Sequence, residues 1–190
     1  LPFEFTDVAL PGGRLAPHLA RRGMHAERVV MPMTYYTMFN MEHPVVGGYR
    51  PAQVALRRAI GLAIDERREI DLLRHGSAVP AQSPVAVHLS GYDPAYKSEM
   101  SDYSPARARA LLDLYGYIDR DGDGHRERPD GSPLTLELAT QPTQQTRRFD
   151  ELMRRDMAAI GLRVVFRAAS WPEQYKAARG GTLMLWSTQG

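Results

Sequence analysis

The run DRDGDGHRERPDG, from Asp119 to Gly131, places three aspartates at alternate positions and then a glycine. Asp119, Asp121, Asp123 and Gly124 fall at positions one, three, five and six of an EF-hand-type loop, with Glu127 at nine and Asp130 at twelve. Oxygen ligands in that order suit calcium, because alternate side chains converge on one point and glycine permits the sharp turn. Pro129 and Pro133 flank the exit, so a strand rather than a second helix follows, and an aspartate at position twelve reaches less far than the usual bidentate glutamate. Two readings stand. One is a calcium-binding structural module built on Asp119, Asp121, Asp123, Glu127 and Asp130; the other is a Gly/Asp-rich turn that needs no metal.

Other chemistry has less behind it. There is no G-x-S-x-G, and His18, His25, His43, His75, His88 and His125 are never three or four residues apart, the spacing of a helical zinc pair. Zero cysteines exclude disulfides, a thiol nucleophile and thiolate metal sites. The glycine pairs Gly12-Gly13, Gly47-Gly48 and Gly180-Gly181 form neither G-x-G-x-x-G nor a Walker loop. The chain is therefore read as a non-enzyme without a resident cofactor, calcium apart. Aromatic residues are the remaining candidates. Trp186 ends an apolar strand where open α/β sheets place ligands, and Tyr35 and Tyr36 stand among five methionines between Met24 and Met41 that could line an adaptable apolar pocket or simply form core.

These residues need elements to position them. Residues 1–28 read as a leading segment with a short strand near Phe3 to Val8, and residues 29–118 as a strand, a long helix, a loop and a short helix. Pro32 confines the strand containing Tyr35 to an edge or a bend. The helix over 51–76 starts on Pro51, buries Ala55, Leu56, Ala59, Ile60, Ala63 and Ile64 along one face, and stops at Gly76. Ser104 caps the shorter helix. After the acidic turn, 119–133, residues 134–190 alternate strand, helix, strand, helix, strand, with Ser170 and Glu173 as a capping box. Such alternation predicts an α/β fold, a mixed and partly parallel sheet with flanking helices and right-handed crossovers.

Composition sets the outer bounds. At 190 residues, with 43% hydrophobic and 24% charged, the sequence supports one sizeable core or one lobe of a larger protein. A formal net charge of +2 with dispersed basic residues gives no argument for nucleic acid. The first residue is leucine and the last strand stops at Gly190, so a single-domain fragment of a longer chain is expected.

Three stretches in order resemble one family. They are MFNMEHPVVGGYRPAQVALRRAIGLAIDERREI, GYDPAYKSEMSDYSPARARALLDLYGYIDRDGDG, and ERPDGSPLTLEL followed by MAAIGLRVVFRAASWPEQ. The sequence is similar to the extracellular solute-binding proteins of the peptide/nickel class, family 5, across roughly Phe39 to Trp186. The resemblance implies one lobe of a type II periplasmic-binding-protein-like fold, in a bacterial periplasmic or extracytoplasmic receptor. It further implies a peptide or similar small solute as ligand, ABC-transporter permease subunits as partners, and a remaining lobe of the same full-length chain. Under it the acidic turn is scaffold, and Trp186 matches a ligand-contacting tryptophan. The family's acidic residue a few positions later is replaced here by Gln189 and Gly190.

Overall fold

The computed structural model describes residues 6–27, 29–98 and 102–189. Its centre is a four-stranded sheet of β1 (Tyr35–Phe39), β2 (Thr135–Thr140), β3 (Arg163–Ala168) and β4 (Leu185–Gln189), in the order β1-β4-β2-β3. β2 runs parallel to both β3 and β4, and β1 closes one edge antiparallel to β4. The expected mixed sheet is present. β1 is an edge strand that begins three residues after Pro32, which leaves Val29 and Val30 outside it and exposed.

Strand alternation divides the sheet into two faces. Phe39, Leu185, Leu138 and Phe166 share one level of the first face, and Met38, Trp186, Ala139 and Arg167 share the adjacent level of the second. The first face holds the main core. Leu136, Leu138, Val164 and Leu185 pack there with residues of α3 (Pro51–Ala63), α5 (Pro105–Leu114) and α6 (Gln144–Ala158). Leu56, Ile60, Leu112 and Met157 are the large side chains those helices bury completely. Right-handed crossovers from β2 to β3 and back from β3 to β4 send their connecting helices to opposite faces. α7 (Trp171–Arg179) accordingly lies on the second face, where the Trp171 ring sits 5.4 Å from that of Trp186.

Two expectations are corrected. The run 51–76 is not one helix, because α3 ends at Ala63 and α4 spans Glu66–Leu73. Ile64 is extended, and Asp65 caps α4 by accepting a hydrogen bond from the Arg68 N–H at 3.0 Å. The Asp65 N–H, freed from helical bonding, donates to Asp156 Oδ2 of α6 at 3.0 Å. A local aspartate cap and a buried tertiary partner thus outweigh helical continuity. The second correction concerns the leading strand: residues 1–5 lie outside the described residues, and Thr6–Ala9 form a short helix, α1. α2 follows at Pro17–Ala20.

The joint between α3 and α4 carries a titration. Glu66 Oε2 is buried with no hydrogen-bond partner, and burial, reinforced by Glu69, raises its pKa from 4.5 to about 7. The native state therefore holds this proton more tightly than the unfolded chain, and stability falls as pH rises from about 4.5 through 7. Discounted for partial exposure, Glu66→Gln should raise stability by roughly 1 kcal/mol at pH 8 and leave it unchanged at pH 4. Thermal melts of both proteins across pH 4 to 8.5 check this; parallel curves at every pH would refute it.

Candidate functional site

Trp186 occupies the second position of β4, level with Met38 of β1 and Ala139 of β2. The strands on its two sides and Trp171 above it fix the ring at the carboxyl end of the parallel strands, where an open α/β sheet offers a crevice. Trp186 is half-buried, and its indole Nε1 is buried without an acceptor among the described residues. An indole N–H withdrawn from water and left unpaired is a cost that a bound carbonyl would relieve.

Tyr35 and Tyr36 are brought to this same edge but not to one wall. Adjacent strand residues point to opposite faces, so only Tyr36, in register with Thr188 and 42% exposed, shares the face of Trp186. Tyr35 faces the α3/α5/α6 layer, where the Arg74 guanidinium lies 4.4 Å from its ring and 5.1 Å from that of Phe149. Glu69 accepts from Arg74 Nε and Nη2 at 2.9 Å each, which holds that cation in place. Of the two candidate tyrosines, strand geometry thus sets Tyr36 on the face of Trp186 and Tyr35 on the opposite one.

Side chains not singled out from the sequence position this edge. Gln174, 3% exposed, donates from Nε2 to the carbonyls of Thr140 and Ala169 and so ties α7 to the ends of β2 and β3. Thr140 Oγ1 donates to the Asp150 carboxylate at 3.0 Å, and burial pushes the Asp150 pKa up despite that bond. At the opposite end, Asn40 donates from Nδ2 to the carbonyls of Gly181 and Leu183 at 2.9 Å each, holding the approach of β4 against the end of β1. An amide immediately after a strand was the sequence signal for Asn40. Gln174 offered none.

The acidic turn gathers four of its five carboxylates. Ligand oxygens of Asp119, Asp121, Asp123 and Glu127 lie within 4.8 Å of one another. Asp130 does not join this group. It accepts from the Ser132 N–H and Oγ at 3.0 and 2.6 Å, because the following turn supplies nearer donors. The four gathered carboxylates already have protein donors. Asp119 accepts from the Gly122 and Gly124 N–H groups, Asp121 from Asp123, and Asp123 from His125. Asp123 also pairs with Arg163 at 2.7 Å, and Glu127 accepts from the Arg120 N–H at 2.7 Å. The His125 N–H bond, aided by Arg163, lowers the Asp123 pKa. Gly124, at φ +86°, makes the turn that aims these groups inward.

The turn is fastened to the helices by Arg126. Its Nε donates to the Ile160 carbonyl at 2.8 Å, and Nη1 donates to the Tyr117 carbonyl and to Asp113 Oδ1 at 2.5 Å each. An open hollow of about 400 Å³ beside it is lined by Asp113, Ile118, Asp119, Arg126 and Ile160 among others. The Arg126–Asp113 ion pair lies in its wall, and Trp186 is not among its lining residues.

Comparison with solved structures places this architecture. A periplasmic oligopeptide-binding protein from Thermotoga maritima superposes with a TM-score of 0.74 over the whole of this chain and 38% of its own, at 20% identity. The Bacillus subtilis oligopeptide-binding protein AppA, solved with a nonapeptide, gives 0.75 over 85% of this chain and 32% of its own, at 16% identity. NikA from Brucella suis, solved with Fe(III)-EDTA, gives 0.73 over 91% and 34%, at 23% identity. The fold is that of one lobe of a type II-like periplasmic binding protein. Residues 8–190 match the middle region of the bacterial extracellular solute-binding proteins, family 5, and the chain belongs to that family. Among named relatives, the di/tripeptide-binding protein 2 of Pseudomonas aeruginosa is 32% identical over 139 residues, 71% of this chain. Di/tripeptide-binding protein 1 of the same organism is 24% identical over 77% of it. The chain spans about a quarter of the length of either relative.

Proposed function

We propose that this chain is the solute-binding lobe of a bacterial extracytoplasmic receptor that hands di- and tripeptides, or closely related small solutes, to ABC-transporter permease subunits. The observation that carries the reading is Trp186, a half-buried indole with an unmet N–H at the carboxyl edge of a parallel sheet. Its ring offers an apolar surface for a side chain and its N–H a donor for a peptide carbonyl. Tyr36 extends the same wall outward. The 32% identity to a di/tripeptide-binding protein supports the solute class. No helix among the described residues is long and apolar enough to cross a membrane.

The lobe traps rather than transforms. A solute laid against Trp186 and Tyr36 would be enclosed when the remaining lobe of the full-length chain closes over it by a hinge motion, with burial and backbone hydrogen bonds supplying affinity. In the full-length protein, titration calorimetry with a series of di- and tripeptides should show saturable binding, and Trp186→Ala should weaken it about tenfold or more. Absence of binding to any peptide in the series, or unchanged affinity in the variant, would overturn the reading.

The acidic turn takes no part in this. Its carboxylates are met by backbone N–H groups and by Arg163, so it stands as a self-supporting scaffold. Melting temperatures measured in millimolar calcium and in excess chelator should coincide. A rise of several degrees with calcium would instead make the four gathered carboxylates a cation brace.

A further inference from the structure

α7 docks on the sheet through a polar side chain rather than an apolar face. Of its nine residues, Gln174 alone is buried, at 3% exposure. Ala177 and Ala178 are half-buried, and the longer side chains Trp171, Glu173, Tyr175, Lys176 and Arg179 are all exposed. A helix that buries so little apolar surface is not located by close packing. Its fastening is an amide. Gln174 Nε2 donates to the carbonyl of Thr140, the last residue of β2, and to that of Ala169, one residue past β3, the second at 3.2 Å. The Thr140 carbonyl also accepts the Ala169 N–H at 3.0 Å, so the amide closes a knot over the ends of two parallel strands. Thr140 Oγ1 is tied in turn to Asp150 of α6. Hydrogen bonds constrain both distance and angle, whereas apolar contact is not directional. One side chain therefore registers α7 against the sheet.

What that registration controls stands one turn earlier. Trp171 and Gln174 are three residues apart and so neighbours on one side of the helix. The Ser170–Glu173 capping box fixes the turn between them, with the Ser170 N–H and Oγ donating to Glu173 Oε2 at 2.9 and 2.6 Å. The Trp171 ring then lies 5.4 Å from that of Trp186, tilted by 36°. Across the strands Trp186 has Met38, a flexible side chain, on one side and Ala139, a small one, on the other. Neither holds an indole plane. Trp171 is thus the rigid neighbour of the indole whose unmet N–H is offered to the solute.

We infer that Gln174 is a positioning residue for solute binding: by registering α7 it holds Trp171 against Trp186 and sets the direction of the indole N–H. The inference rests on the reading of Trp186 as the solute contact, and one arm of its test needs no solute.

The experiment uses the full-length chain with Gln174→Met, which keeps the reach of the side chain and loses its donors, and separately with Gln174→Glu, which keeps its shape as well. In fluorotryptophan-labelled protein, the fluorine resonances of Trp171 and Trp186 are assigned through Trp171→Phe and Trp186→Phe. Without solute, both Gln174 variants should shift these two resonances and leave the remaining ones in place. Calorimetry with a di- or tripeptide that the unsubstituted protein binds should show affinity about fivefold weaker in either variant, and no further loss when Gln174→Met is added to Trp171→Ala. A residue that only supports the fold would not lose its effect in the Trp171→Ala background. Unshifted resonances, unchanged affinity, additive losses, or melting lowered by more than about 10 °C in both variants would overturn the proposal. If the unsubstituted protein binds no peptide, the peptide reading falls, and the two resonances still decide whether Gln174 holds the tryptophan pair.

Discussion

Arg126→Ala should destabilise the protein by about 3–4 kcal/mol, far more than loss of any one aspartate of the turn beside it. The guanidinium donates to two main-chain carbonyls, of Tyr117 and Ile160, that belong to the ends of two helical segments packed in the core. Its own side chain is 12% exposed. Removal leaves both partly buried carbonyls short of a donor, at about 1–3 kcal/mol each. It also removes the ion pair to Asp113, whose partly exposed carboxylate contributes little by itself. Asp121→Ala, by contrast, deletes one exposed turn bond to the Asp123 N–H and should stay within about 1 kcal/mol. Urea melts of the two variants separate these cases. Equal losses would mean that the turn, not its arginine fastening, carries the stability.

Leu185→Ala should cost about 3 kcal/mol or more. Leu185 is 1% exposed on β4, in register with Phe39 and Leu138, and packs in the main core. Truncation there removes buried methyl groups and leaves a cavity that close-packed neighbours fill only in part. Its neighbour Trp186 points to the other face, where it is half-buried and meets Trp171 at the start of α7. Trp186→Ala should accordingly lower the melting temperature less than Leu185→Ala while losing more solute affinity. Two consecutive residues thus separate folding from binding. If the order of the two melting temperatures were reversed, Trp186 would be core and the strand-edge site would have to be abandoned.

The elements from the acidic turn onward were legible because their signals are local. Leu134, Leu136 and Leu138 alternate and are all buried, Thr143 caps α6 through the Thr146 N–H, and the Ser170–Glu173 box opens α7 as expected. Pro32 marked β1 as an edge, and family motifs located the lobe. What was not legible depends on partners distant in sequence. The break after Ala63 needs Asp156, which lies 91 residues beyond Asp65, so no helical periodicity could announce it. Tyr35 and Tyr36 look like a pair on paper, yet the pleat separates them, and Arg74 claims the first from another helix. Asp130 has the right position number for a loop ligand, but nearer donors on Ser132 take it. Arg126 carries no local signal, because its three acceptors on Asp113, Tyr117 and Ile160 are set by tertiary packing.

One feature of the sheet bears on how the molecule comes together. β1 has a single neighbour, β4, and the hydroxyls of Thr37 and Ser187 that meet across them are 150 residues apart in sequence. Loop closure over such a span is entropically late and slow, whereas β2, α6 and β3 are contiguous and can assemble early. The Tyr36 rim is therefore set in place only once β4 has been made and docked. A chain truncated before Leu183 should therefore form β2, α6 and β3 while the first strand, lacking β4, still exchanges freely with solvent.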